Sequence, residues 1–181
     1  LHDRKRESVL AGLKYLFYSL CGAYCVLFGF FVLYAHSTTL DFTPGGVLDP
    51  EKLAGQESLL LLAAFLMLLG FGVKAGMFPL HGWLPAAHPV APAPASAVLS
   101  GIIVKIGVFG AFRVVFYLFG SEFLQNTWVQ TTLLVLSLIT VVMGSMLAFL
   151  ERGFKRRLAY STVSQISYVL FGLYLMQPAA I

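Results

Sequence analysis

Charge is what this sequence has least of. Only 11% of its 181 residues are Asp, Glu, Lys or Arg, against about a quarter in an ordinary soluble domain. With 59% apolar residues and a mean hydropathy of +0.84, the chain reads as an all-α integral membrane protein whose solvent is the lipid bilayer. Cysteine is almost missing too. Cys21 and Cys25 stand one helical turn apart in an apolar run, and a lone CxxxC has neither the ligand number nor the context of a metal or redox site. They are read as buried packing residues facing lipid or a neighbouring helix. No dinucleotide-binding glycine pattern, iron–sulfur cysteine cluster or haem attachment motif occurs, so no cofactor and no metal is expected. The formal charge of +4 does not point to nucleic acid, because in a membrane chain the distribution of basic residues among the loops matters more.

What is present is long apolar runs. A bilayer core of about 30 Å takes roughly 20 residues of helix, and five segments qualify: 10–35, 57–88, 93–119, 128–150 and 156–176. Arg4, Lys5 and Arg6 flank the first. The loop from His36 to Glu57 is acidic, with Asp41, Asp49, Glu51 and Glu57 against Lys52, and after four crossings Arg152, Lys155, Arg156 and Arg157 return. Both basic segments fall on one side, which the positive-inside rule assigns to the cytoplasm, together with residues 1–9, 82–92 and 151–157. The chain begins at Leu1 in a basic stretch with no signal peptide to discount, and it reads as an internal fragment.

The second segment is anomalous. As one straight helix, residues 57–88 would run about 48 Å, too long for the core without a steep tilt. Pro79 and Pro85, with Gly70, Gly72, Gly76 and Gly82, argue for a helix broken near Pro79. Its first part is expected to run from about Ser58 to Met77, with a short second piece over "LHGWLP". The alternative is a plain helix that stops at Phe78, followed by a re-entrant loop. A break places Lys74 beside unpaired backbone groups near mid-membrane, where polar side chains or water must satisfy them.

The third segment carries Lys105 at its centre. A lysine at that depth costs about 2.5–3.5 kcal/mol on insertion scales, so it should face protein or water rather than lipid. Burial disfavours the charged form of an amine, which makes Lys74 and Lys105 on adjacent antiparallel helices a two-station proton relay. Against this, Lys74 can snorkel to the basic face, and Lys105 can form a purely structural ion pair. Arg113 reads as an interfacial or pairing residue, or as part of a polar path. His81 and His88 flank the break, where they either shuttle protons at the entry or cap the short helix. In "KRRLAYSTVSQ", Ser161, Thr162, Ser164 and Gln165 enter the membrane as interhelical hydrogen-bonding groups or as part of a polar path. Small residues at Ala97, Gly101, Gly107 and Ala111 allow a neighbouring helix to come close.

Two stretches, "GFGVKAGMFPLHGWLPAAHPVAPAPASAVLSGIIVKIGVFGAFR" and "FKRRLAYSTVSQISYVLFGL", resemble the antiporter-like membrane subunits of respiratory complex I. Mrp-type cation/proton antiporter subunits and the large membrane subunits of energy-converting hydrogenases share the pattern. The resemblance implies a piece of a roughly fourteen-helix fold with two inverted repeats, residues 1–120 ending the first and 121–181 opening the second. Lys74 then resembles the broken-helix lysine, and Lys105 the lysine of the next helix. A glutamate that pairs with Lys74 in the family is expected on a helix before Leu1, and the second repeat's broken helix after Ile181. Glu7, Glu51, Glu57, Glu122 and Glu151 sit in or near loops and cannot replace that glutamate. The family's "LPDAH" reads "LPAAH" here, with Ala86 in place of the acid.

The function implied is proton translocation in a redox-driven complex of the NADH:quinone oxidoreductase or membrane-bound hydrogenase type, in the cell (inner) membrane. No redox chemistry lies in this chain, so electron transfer falls to other membrane subunits; protons or sodium ions are the cargo. A sodium/proton antiporter without redox coupling and a structural scaffold are the alternatives.

Overall fold

The computed structural model describes residues 6–39, 41–42, 44–49 and 55–176. Arg4, Lys5, Glu51 and Lys52, and the end of the chain from residue 177, lie outside the described residues. Among the described residues seven helices follow one another: α1 (Arg6–His36), α2 (Glu57–Ala75), α3 (Trp83–Val90), α4 (Ala93–Phe119), the single turn α5 (Ser121–Leu124), α6 (Trp128–Leu150) and α7 (Phe154–Leu175). Five of them, α1, α2, α4, α6 and α7, are long and apolar enough to cross a bilayer. Among the described residues the only strand-like pairing is a bridge between Ser37 and Leu48.

Apolar residues are found both inside and outside. Leu60, Met67, Leu68, Leu133, Leu170 and Tyr174 are fully buried where α2, α6 and α7 meet, while Phe17, Phe31, Met146 and Phe149 are exposed. In water such a surface would drive aggregation, but in lipid it is solvated. Cys21 is likewise exposed and Cys25 only partly covered, so among the described residues neither is packed in the core, and Cys21 lies on the outward face of α1.

The second segment is broken around Pro79, as expected, though its first part ends at Ala75, two residues before Met77. Gly76 adopts φ 82°, ψ 32°, the left-handed conformation that glycine takes without a Cβ penalty. Its amide donates to the Val73 carbonyl at 3.2 Å and that of Met77 to Gly72 at 2.9 Å, the double bond of a Schellman cap. The helix is therefore closed by its own backbone before Pro79 is reached. The second piece also starts later, at Trp83, and runs to Val90. Pro85 sits in its first turn, where the missing amide has no helical acceptor to lose.

Helix α4 is continuous through the third segment but is wound as a π-helix over Leu99–Ile103 and again over Val114–Phe119. Gly107 faces α2 so closely that a Cβ there would lie 2.7 Å from the Ala75 amide nitrogen and 3.0 Å from Lys74 Cβ. Ala111 is fully buried on the same side, whereas no heavy atom outside its own helix lies near a Cβ at Gly101 and Ala97 is exposed. Among the described residues, Gly107 and Ala111 of the small-residue stripe are the ones that pack on a neighbouring helix. The amino ends of α1 and α7 and the carboxy end of α3 meet on one face. There Lys155 donates to the Ala91 carbonyl at 3.4 Å, so the basic segments share a side as their spacing requires.

Candidate functional site

Lys74 occupies the last turn of α2, one helical position before the Schellman cap begins to turn the chain. Carbonyls at a helix carboxy end carry partial negative charge and favour a cation nearby. The ammonium is half-buried and donates to Ser19 Oγ at 2.9 Å and, at the limit of hydrogen-bonding distance, to Tyr15 Oη at 3.5 Å. It also lies 5.0 Å from the Tyr15 ring centroid, within cation–π range. Ser19 is two residues from Cys21, the middle of α1, so the side chain of Lys74 ends beside the middle of that helix rather than at either of its ends. No carboxylate contacts it among the described residues.

The walls of this site come from the break itself. Trp83, the first residue of α3, is buried and donates from Nε1 to the Val73 carbonyl at 2.8 Å, and its ring packs 5.2 Å from that of Tyr15. The Phe78 amide, freed by the break, donates to Thr140 Oγ1 on α6 at 2.9 Å, and Thr140 in turn donates to the Leu136 carbonyl. A freed backbone group in lipid needs such a partner. Pro79, at the middle of the connection, is exposed.

Lys105 stands one residue from Ile106, the middle of α4, but on another face. It lies two residues, about 200° of helix, from Gly107, so its side chain leaves α4 on the side away from α2. There it is exposed, in a stripe with Ile102, Ile106 and Phe109, and makes no ion pair among the described residues. The structure therefore brings the two helices together without bringing the two ammonium groups together. Arg113, two turns on, is held between the rings of Phe42 and Phe109 at 4.8 and 4.5 Å.

The two histidines differ. His81 stacks on Phe78 with centroids 6.0 Å apart, and its Nδ1 is buried without a hydrogen-bond partner. His88 is buried on α3 between spanning helices and meets Ser96 Oγ at 2.5 Å and Ser100 Oγ at 3.3 Å, one hydroxyl on each ring nitrogen. Burial, and behind it the Lys155 ammonium, hold the His88 imidazole below the ordinary histidine range. Of the polar group on α7, Ser164 bridges to Ser145 Oγ at 2.8 Å and to the Val141 carbonyl at 3.2 Å. Ser161 is half-buried and Gln165 exposed.

Sequence reasoning missed Tyr15, Ser19 and Thr140. Tyr15 and Ser19 are four residues apart in an otherwise apolar helix, the spacing that puts two hydroxyls on one face, and that signal was available. Thr140 offers none, since a threonine in a membrane helix usually bonds its own backbone.

The whole chain, residues 1–181, matches the family described as NADH:quinone oxidoreductase/Mrp antiporter, TM. It is 37% identical over 168 residues to hydrogenase-4 component B of Escherichia coli (strain K12), covering 93% of this chain and 24% of that protein. It is 32% identical over 171 residues to NADH-quinone oxidoreductase subunit N of Desulforudis audaxviator (strain MP104C), covering 93% and 33%. Among solved structures, the Mrp complex from Dietzia sp. DQ12-45-1b superposes with a TM-score of 0.78 at 26% identity, over 97% of this chain and 31% of that one. Respiratory complex I from Thermus thermophilus with bound aureothin gives 0.73 at 24% identity, over 97% and 36%, a likeness of fold. The chain thus spans about a quarter to a third of the length of the curated relatives it matches. It belongs to the NADH:quinone oxidoreductase/Mrp antiporter transmembrane family, with the helices of an antiporter-like membrane subunit.

Proposed function

We propose that this chain is the proton-carrying segment of an antiporter-like subunit in a redox-driven membrane complex, with Lys74 loaded and unloaded at the break between α2 and α3. The observation that carries the reading is the setting of Lys74, an amine beside the middle of α1 held by two hydroxyls and a helix carboxy end, with no carboxylate in contact among the described residues. A lysine fixed in a permanent ion pair is a structural element, whereas one held by neutral groups can give up its proton without leaving a bare carboxylate behind. A charge change in a neighbouring subunit, or in a glutamate on a helix before α1, then drives the proton on or off Lys74.

Lys105 serves as the second station. Because it emerges from α4 away from α2, the proton passes around the helix through water, and Lys105 hands it to protein packed against the Ile102, Ile106 and Phe109 stripe. A lysine in the middle of that stripe is too costly to leave in lipid. The basic ends of α1 and α7 lie on one side with α3, and residues 1–9, 82–92 and 151–157 face the cytoplasm of a cell (inner) membrane. Residues 1–120 close one repeat and 121–181 open the next, so the Phe78–Thr140 hydrogen bond joins the two repeats. His81, with its unpartnered nitrogen beside the break, stands at the entry, while His88, Ser164 and Arg113 are bonded or caged as structural groups.

The names of the relatives favour redox coupling through other membrane subunits, and the likeness to the Mrp complex favours a second reading, a sodium/proton antiporter without it. Both are tested in the assembled complex reconstituted into vesicles. Lys105→Ala should lower the proton yield in sodium-free medium by this subunit's share while assembly and electron transfer persist. Wild-type proton uptake by that variant, with assembly normal, removes the relay; a strict requirement for sodium selects the antiporter.

A further inference from the structure

We propose that the groove between the amino-terminal part of α1, the carboxy end of α3 and the start of α7 binds an anionic phospholipid. The phosphate would rest between Lys14 and Arg156, with the acyl chains running along α1. The groove has a volume of about 600 Å³ and is open rather than closed over. Leu10, Leu13, Lys14 and Phe17 enter it as one stripe of α1 at i, i+3, i+4 and i+7. Leu10, Leu13 and Phe17 are more than half exposed, an apolar strip of the length and position that an acyl chain covers.

The charge at the head of the groove selects the lipid. Arg156 and Lys14 line it against a single acid, Glu7, which sits in the first turn of α1 where the helix amino end already favours an anion. Neither cation makes an ion pair among the described residues. Next to Arg156, Lys155 donates to the Ala91 carbonyl and Arg157 Nε to the Glu151 carbonyl at 3.1 Å, so Arg156 alone of the three turns to the groove without an acceptor of its own. Lys14 lies about 12 Å down the helix from Arg6. Its Cα–Cβ bond tilts back toward the helix amino end, which carries the ammonium up toward the basic face. An ammonium and a guanidinium at the mouth of an apolar groove on the basic side of a membrane protein match a phosphate carrying acyl chains. A second groove of about 640 Å³, on the other side of the α1–α3 contact, is lined by Tyr15, Ala87, Leu99 and other uncharged residues, and it lacks this selectivity.

The test uses the full-length protein in its complex, in phosphatidylcholine nanodiscs carrying a trace of phosphatidylglycerol with a photoreactive acyl chain. Crosslinks should map to residues 10–17, and the matching phosphatidylcholine probe should label that stretch far less. Replacing Lys14→Gln or Arg156→Gln should each lower phosphatidylglycerol labelling about fivefold, and both together about thirtyfold, the worth of basic residues near an anionic surface. Unchanged phosphatidylcholine labelling of the exposed α6 face around Met146 and Phe149 serves as the control for folding. Equal labelling by the two lipids, labelling that survives the double substitution, displacement of the probe by millimolar inorganic phosphate, or crosslinking of another subunit into the groove would each overturn the proposal.

Discussion

Replacing Gly76 by alanine should loosen the break that holds Lys74. The backbone there stands at φ 82°, where an L residue pays about 1–2 kcal/mol that glycine does not. A new methyl group would meet Leu84 Cδ1 and Val163 Cγ2 at 3.4 Å each, ordinary contact distances, so the cost is conformational rather than steric. Alanine also narrows the unfolded ensemble, which returns about 0.4–1 kcal/mol. The net expectation is a loss of about 1 kcal/mol, a fivefold change in the folded ratio. Because the strain falls on the cap, relaxing it would unwind the bonds from Gly76 and Met77 to Val73 and Gly72 and move the last turn of α2. The assay is thermal unfolding of the full-length protein in nanodiscs, paired with proton uptake by the reconstituted complex. Gly172→Ala, in α7 with nothing near the new methyl, is the control and should be neutral or stabilising by up to about 1 kcal/mol. If Gly76→Ala matched the wild type in both stability and proton uptake, the Schellman cap would not be what fixes the break.

Ser19→Ala removes the 2.9 Å acceptor of the Lys74 ammonium. Hydrogen bonds to charged groups are worth about 1.5–3 kcal/mol, so the part of proton translocation that runs through this subunit should fall about tenfold. Tyr15→Phe keeps the ring and loses only the 3.5 Å contact, and flux measurements should find the smaller effect. Thr140→Val strands the Phe78 amide and should cost about 1–3 kcal/mol, read as a lowered unfolding temperature with helix content unchanged. The His88 imidazole is held below its ordinary range, so the folded state resists its protonation. That contribution to stability is complete above about pH 6.5 and is lost as pH falls from there through the folded-state value. The unfolding temperature should decline over that window, and the decline should flatten in His88→Gln.

Helix number and span were readable because lipid imposes them. A run of about 20 apolar residues can do little else, and 128–150 came out with the bounds its composition suggests. The broken helix was readable as a break around Pro79, but the residue that closes its first part was not. Proline is the visible disruptor in sequence, yet Gly76, which can take a positive φ, ends the helix first and leaves Pro79 in the connection. Lys74 announced itself by rarity. Its partners did not, because Tyr15 and Ser19 come from a helix 55 to 59 residues earlier, and no local rule pairs them with it. For Lys105, depth was legible and direction was not. Which face a lysine takes depends on where Gly107 lets α2 approach, and the π-helical winding of Leu99–Ile103 shifts the phase of the helix just before it.

The central claim is that Lys74 carries the proton, and the most direct measurement is proton uptake per electron pair in the reconstituted full-length complex bearing Lys74→Met. The substitution keeps most of the stem's volume and removes the titrating group. The account predicts electron transfer and assembly near wild type with the proton yield reduced by this subunit's share, and no recovery in sodium-free medium. An unchanged proton yield from a normally assembled complex would contradict it.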